Sequence, residues 1–148
     1  METNNNNSAF RVIIAGSRGF SDYDLLRTKC DRILSGISTG RQIVVVSGTA
    51  RGADQLGERY ARERGFAVRQ FPADWERHGK QAGYLRNREM AENADALIAF
   101  WDGQSHGTKM MIDLAMERGL NVRIITVPAE VSNTVSPEPR RTIGFYFR

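Results

Sequence analysis

Four short stretches of this chain carry residue types suited to gripping an anion. In Gly16-Ser17-Arg18 the glycine lets backbone approach a ligand closely, and the Arg18 guanidinium can fork onto a phosphate or a carboxylate. The same three residues equally make a tight turn carrying a surface arginine. Ser47-Gly48-Thr49-Ala50-Arg51-Gly52-Ala53-Asp54 puts small residues where a helix N-terminus must meet something bulky. Asp54 there either complements the helix dipole, accepts hydrogen bonds from ribose hydroxyls, or holds a neighbouring loop. Arg86-Asn87-Arg88 offers two guanidiniums and an amide. Residues two apart do not share a helix face, so Arg86, flanked by Leu85 and Met90, is the inward candidate; a solvated basic patch is the alternative. Ser105, Gly107 and Thr108 bring hydroxyls and free backbone N–H groups to a helix start, which suits a phosphate or serves ordinary N-capping.

Several chemistries are excluded by what is missing. GSRGFS is not the G-x-G-x-x-G dinucleotide fingerprint, and SGTARGAD lacks the G-K-[ST] of a Walker P-loop. His78 and His106 are isolated, and with the single Cys30 they form no metal-ligand cluster, so no metal or cofactor is expected. Neither a nucleophile elbow nor a Ser-His-Asp order is present. Trp75 and Trp101 are surfaces on which a base could stack, although Trp101, at a strand end, better suits core or rim packing.

The elements that must position these residues follow from periodicity. Apolar runs predict strands at 11–15, 42–46, 67–71, 96–101 and 121–127, the third closed by Pro72 and the last by Pro128. Helical spacing predicts a helix capped by Ser21 or Asp22 and running to about Ser35, with Leu25, Leu26, Cys30, Ile33 and Leu34 inward. A second ends at Arg64 before Gly65, a third spans 84–93, and a fourth stops at Gly119. Ala73 to Gly83 reads as an irregular surface loop. Strands that are continuously apolar fill a sheet covered on both faces. The predicted fold is α/β: a single Rossmann-like open, mainly parallel five-stranded sheet with helices on both faces. Ligands in such sheets sit at the carboxyl ends of the strands, where the turns at 16–20, 47–54 and 102–108 converge.

The predicted domain spans 10–128. Residues 1–9, asparagine-rich, are expected to be disordered, and 129–148 form a tail whose TIGFYF segment is a candidate added edge strand or partner-covering arm. No stretch approaches the roughly 20 apolar residues of a membrane span, and the N-terminus lacks a signal-peptide pattern, so a cytoplasmic protein without a membrane partner is expected. The 21 Lys and Arg exceed the 17 acids, giving a net charge of +4 without any block of like charges. That balance permits nucleic-acid contact and serves an anionic small ligand equally well.

Read together, GSRGFSD, VSGTARGAD, FPADW with GKQAGYLRNREM, and ADALIAFWDGQSHGTKMMI resemble the YspA/cpYpsA-related branch of the SLOG superfamily over about residues 10–127. SLOG proteins are Rossmann-like domains named for their likeness to DprA/Smf and the LOG enzymes. The resemblance implies binding of a nucleotide-derived, phosphate-bearing ligand in a pocket made by Gly16, Ser17, Arg18, Ser47, Gly48, Gly52, Asp54, Arg86, Asn87, Ser105, Gly107 and Thr108. It also implies a homodimer, with Lys109–Gly119 as a candidate contact. LOG enzymes cleave nucleoside monophosphates with an arginine in an RKxxM-like helix and a glutamate in PGGxGTxxE. Arg86, Met90, Gly107 and Thr108 match, but Met111 stands at the glutamate position and the PGG is absent. A thioether cannot stabilise an oxocarbenium ion, so a LOG-like hydrolase is the alternative reading and a DprA-like nucleic-acid binder a third.

Overall fold

The computed structural model describes residues 8–129; the asparagine-rich start and the TIGFYF segment lie outside the described residues. The chain runs β1 (Phe10–Gly16), α1 (Tyr23–Ser38), β2 (Ile43–Ser47), α2 (Ala53–Arg64), β3 (Ala67–Gln70), α3 (Trp75–His78), α4 (Ala82–Glu92), β4 (Ala96–Trp101), α5 (His106–Glu117) and β5 (Asn121–Thr126). The five strands form one open sheet in the order β3-β2-β1-β4-β5, and every neighbouring pair is parallel.

Alternation along the central strands divides the core. Val12 and Ile14 of β1 join Leu26, Cys30 and Leu34 of α1 and Ala53, Tyr60 and Ala61 of α2 on one face. Ile13 and Ala15 join Met90 and Ala91 of α4 and Met111, Ile112 and Ala115 of α5 on the other. Since successive side chains of a strand point to opposite faces, an unbroken apolar run is what a doubly covered strand requires. The inward stripe of α1 is the one periodicity predicts, with Leu25 and Ile33 packed at its margins. Asp22 caps it, accepting from the Leu25 N–H at 3.1 Å. Gly65 closes α2 in the left-handed conformation. Among the described residues no helix is long and apolar enough to cross a membrane.

The expected irregular loop at 73–83 is corrected. Asp74 accepts from the Arg77 N–H at 3.1 Å and starts the single turn α3, a 3₁₀ turn follows at Gly79–Gln81, and α4 begins at Ala82, two residues early. Pro72, Gly79 and Gly83 read as breakers, yet the Asp74 cap organises the segment locally.

The edges of the sheet's centre are tied at both ends. At the amino end Asp95 accepts from the Arg11 backbone N–H (2.9 Å), Nε (3.2 Å) and Nη2 (3.0 Å), joining β1 to the entry of β4. At the carboxyl end the Ser17 N–H donates to the Phe100 carbonyl at 3.1 Å. A Cβ on Gly16 would collide with that carbonyl oxygen and lie 2.8 Å from Ala53 Cβ, so β1, β4 and α2 meet here only because side-chain volume is absent. Gly16→Ala is expected to lower the unfolding free energy by about 2 kcal/mol or more, the upper range of overpacking penalties. Urea unfolding measures it; a change below about 0.5 kcal/mol, the level of an ordinary surface substitution, would contradict this packing.

Candidate functional site

Where β1 and β4 lie side by side, their outgoing chains part: β1 leads to α1 on one face and β4 to α5 on the other. A crevice opens at such a switch point. Here it is a cleft of about 370 Å³ lined by the loop after β1, the start of α2, the inner side of α4 and the start of α5.

The first wall is the β1 loop. Ser17 is buried, and its carbonyl accepts from Phe20 N–H (3.1 Å) and Ala53 N–H (3.3 Å), so this loop caps α2 as well as turning itself. Arg18 is exposed at the cleft mouth, and its side chain makes no hydrogen bond among the described residues. The opposite wall is the β4 loop. Asp102 Oδ1 accepts from the N–H groups of Gln104 and Ser105, both at 2.8 Å. The Ser105 hydroxyl lies 3.2 Å from Asp102 Oδ2 and 3.0 Å from Ser17 Oγ, which joins the two walls. Burial opposes the charge on Asp102, but these amides and hydroxyls outweigh it and hold the carboxyl below its usual range. Ser105 is therefore spent on the loop and makes no side-chain cap on α5. The positive end of that helix, at His106-Gly107-Thr108, faces the cleft without a side-chain acceptor. Trp101 packs at the rim, its Nε1 donating to the Ser105 carbonyl at 3.1 Å.

The floor comes from α4 and α2. Arg86 points inward while Arg88 stays exposed, as helix geometry predicts. Arg86 Nη1 donates to the Gly48 carbonyl at 2.6 Å and Nε to Asn87 Oδ1 at 2.8 Å, while Asn87 Nδ2 reaches the Gly107 carbonyl at 3.4 Å. Asn87 thus ties the arginine to the start of α5. Arg86 is half-buried and forms no ion pair among the described residues; burial and the neighbouring Arg18 lower its basicity, against the pull of Asp54. A Cβ on Gly48 would lie 2.7 Å from Arg86 Nη1 and 2.9 Å from Asp54 Oδ2, so Gly48 makes room for both charges. Asp54 is buried, and its Oδ2 accepts from the Ala50 N–H at 3.2 Å. Burial pushes its carboxyl up to about 6, more strongly than the Ala50 N–H, Arg86 and Arg18 pull it down; Glu58 adds to the rise.

Gly16, Ser17, Arg18, Asp54, Arg86, Asn87, Ser105, Gly107 and Thr108 therefore share one cleft. Three expected residues do not line it. Ser47 is fully buried, donating to Glu58 Oε2 (2.7 Å) and accepting from Thr49 N–H (3.0 Å), so it holds the loop. Gly52 has φ +83°, and a Cβ there would collide with the carbonyl oxygens of Ser17 and Arg18; it serves loop packing. Gly48 supports Arg86 from behind. Sequence reasoning did not single out Asp102, Ala50 or His106, which also line the cleft. The signal for Asp102 was present: an aspartate beginning a D-G-x-S turn bonds the backbone two and three residues on. For His106 there was none. Met111, at the position of the LOG glutamate, is buried at the cleft floor among Met90, Leu97 and Ala115. No group of three or more metal-ligating side chains occurs among the described residues.

A family model described as the YspA, cpYpsA-related SLOG family matches residues 10–78. The Gene 61 protein of Mycobacterium phage D29 is 42% identical over 122 residues, which is 76% of this chain and 93% of that protein. The chain belongs to the YspA/cpYpsA-related SLOG family. Two solved structures share its fold. DNA processing protein A (DprA) from Streptococcus pneumoniae superposes with a TM-score of 0.62 at 20% identity over 85% of this chain, which spans only 52% of the DprA chain. The structural-genomics target TM1055 gives 0.57 at 21% identity, covering 76% of this chain and 72% of that one. At these identities the likeness is one of fold. For this SLOG member, family membership supports a nucleotide-related binding or related role at the level of the family.

The raised Asp54 pKa has a stability consequence with a definite sign. A carboxyl whose folded pKa exceeds the roughly 3.9 of the unfolded chain holds its proton better when folded. Stability therefore falls as pH rises from about 4 to about 6. Above that window the cost is complete, on the order of 2–3 kcal/mol for a group this buried. Asp54→Asn is expected to melt several degrees higher than the parent at pH 7.5 and equally at pH 4. A variant less stable at pH 7.5 would show instead that the charged carboxylate holds the loop.

Proposed function

We propose that the cleft binds a nucleotide-derived small molecule through its phosphate. The observation that carries this is Arg86: a half-buried guanidinium fixed by a carbonyl and an amide, attracted by Asp54 but forming no ion pair among the described residues, and facing a cleft. A buried charge left unpaired is costly unless something it binds compensates it. Arg18 approaches the same space from the mouth, and the two cations oppose each other until an anion arrives. The bare N-terminus of α5 adds amide donors suited to phosphate oxygens. Asp54, acceptor-only when ionised, suits sugar hydroxyls beside the phosphate.

Thermal-shift measurements against mononucleotides, NAD, ADP-ribose and cyclic nucleotides test this. A ligand at about 100 times its dissociation constant adds about 2.7 kcal/mol, several degrees in a domain of this size. Arg18→Ala, at an exposed side chain that makes no hydrogen bond among the described residues, is expected to leave the unliganded melting point unchanged and weaken binding about tenfold or more. Absence of any shift across the panel, or unchanged affinity in both Arg18→Ala and Arg86→Ala, would contradict the proposal.

One observation favours a second reading, hydrolysis of such a ligand. Asp54 is a cleft carboxyl with a pKa near 6, suited to general acid–base work. The glutamate of the LOG enzymes has no counterpart at Met111, so cleavage would have to rest on Asp54. Free base or nicotinamide released from nucleoside monophosphates or NAD, and lost in Asp54→Asn, would establish it; intact ligand after prolonged incubation would dismiss it.

A DprA-like nucleic-acid role is supported by the net charge of +4 but weakened by the pairing of Arg11, Arg27, Arg59, Arg64 and Arg88 with acids. Homodimerisation through α5 is supported by Met116, 56% exposed beside Tyr84 on the rim of one shallow groove. A monomer in sedimentation equilibrium would dismiss it.

A further inference from the structure

The cleft does not end at its two arginines. Beyond them lies a second hollow of about 320 Å³, and Arg18, Ala50 and Arg86 line both spaces. The guanidiniums therefore stand at a waist, and the two lobes differ in chemistry. The first is built of hydroxyls, helix-start amides and the carboxylates Asp54 and Asp102. The second is walled by Trp75, Pro72 and Arg51.

Trp75 has no core role to explain it. It is 53% exposed, the most exposed large aromatic among the described residues, on the short turn that Asp74 caps. Its ring lies near Gly83 of α4, with Cη2 3.5 Å from where a Cβ on that glycine would stand. The facing wall is held in an unfavourable conformation. Thr49 has φ +61°, rare for a β-branched residue, and is fixed by its N–H donating to Ser47 Oγ at 3.0 Å and its carbonyl accepting from Gln55 Nε2 at 3.4 Å. Backbone strain of this kind concentrates where a ligand is gripped. An aromatic plane with an arginine beside it is what stacks a nucleobase.

We infer that the ligand is two-lobed: two nucleoside halves joined by a phosphodiester or pyrophosphate, with the bridging phosphate at Arg18 and Arg86, one sugar beside Asp54, and one base on Trp75. This rests on the phosphate-binding reading above and adds the second lobe to it. A nucleoside monophosphate fills only one side of the waist and leaves the other to water. A single-stranded nucleic acid carries the same chemistry, but its two ends would have to leave the cleft, and the contact of Ser17 with Ser105 joins the β1 and β4 loops across one side of the first lobe.

Calorimetric titration of the full chain with AMP, NAD, diadenosine pyrophosphate and a ten-residue oligothymidylate tests the inference. At least one of the two dinucleotides is expected to bind tenfold or more tightly than AMP. Trp75→Ala should cancel that advantage, Trp75→Phe should keep most of it, and Arg18→Ala should weaken every ligand. Unchanged melting of Trp75→Ala, expected for so exposed a side chain, confirms that the variant is folded. Dinucleotides binding no better than AMP, or a gain indifferent to Trp75→Ala, would overturn the second lobe and leave phosphate binding standing. An oligothymidylate binding more tightly than either dinucleotide, with steep salt dependence, would overturn the small-molecule assignment. Binding of none of the four would overturn the phosphate-binding reading itself.

Discussion

Three backbones meet at Gly16, and the cleft exists because they can. The last residue of β1 lies against the Phe100 carbonyl of β4 and the Ala53 side chain at the start of α2. With those fixed, the Ser17 carbonyl reaches the first amide of α2 and the Ser17 hydroxyl reaches Ser105. Gly52 repeats the constraint from the other side, its missing side chain admitting the Ser17 and Arg18 carbonyls. The parallel sheet supplies rigid strands, and these close approaches decide where the loops between them come to rest. A methyl group at either glycine would act on site geometry before it acted on any ligand contact.

The electrostatics of the cleft run in opposite directions over a short span. Asp102, fed by two amides and a hydroxyl, is held ionised, whereas Asp54, buried with a single amide donor, is pushed toward neutrality. Arg86 is made less comfortable by burial and by Arg18. Packing alone would have little use for such an arrangement, because apolar residues of similar volume would stabilise the domain more. The strain in Thr49 points the same way. Stability given up at one edge of an otherwise well-packed sheet is the signature expected of a binding site.

Much of this was legible in the residues. The apolar runs predicted the five strands within one or two residues, most cleanly for β1, β2 and β4, which are covered on both faces and have no polar face to confuse the pattern. The inward choice of Arg86 over Arg88 followed from helix geometry, and the clustering of three turns followed from the placement of ligands at the carboxyl edge. Other features depended on tertiary contacts with no local trace. Ser47 looks like a loop hydroxyl, yet its partner is Glu58, 11 residues further along the chain on α2. Ser105 looks like a helix cap, but the pull of Asp102 and Ser17 turns it from that task. Trp75 sat in a segment whose glycines masked the Asp74 cap that builds its turn. Each misreading arose where a polar side chain had two physically sound partners and only the fold could choose.

The central claim is that the crevice between the β1 and β4 loops, floored by Arg86, is where this protein meets its ligand. Amide chemical-shift mapping by nitrogen-15 NMR during titration with NAD tests it most directly. The account predicts saturable shifts confined to residues 16–19, 48–54, 73–75, 86–87 and 102–108, on both sides of the arginine waist. Shifts centred on the α1 face or on β5, with those five stretches unmoved, would contradict it.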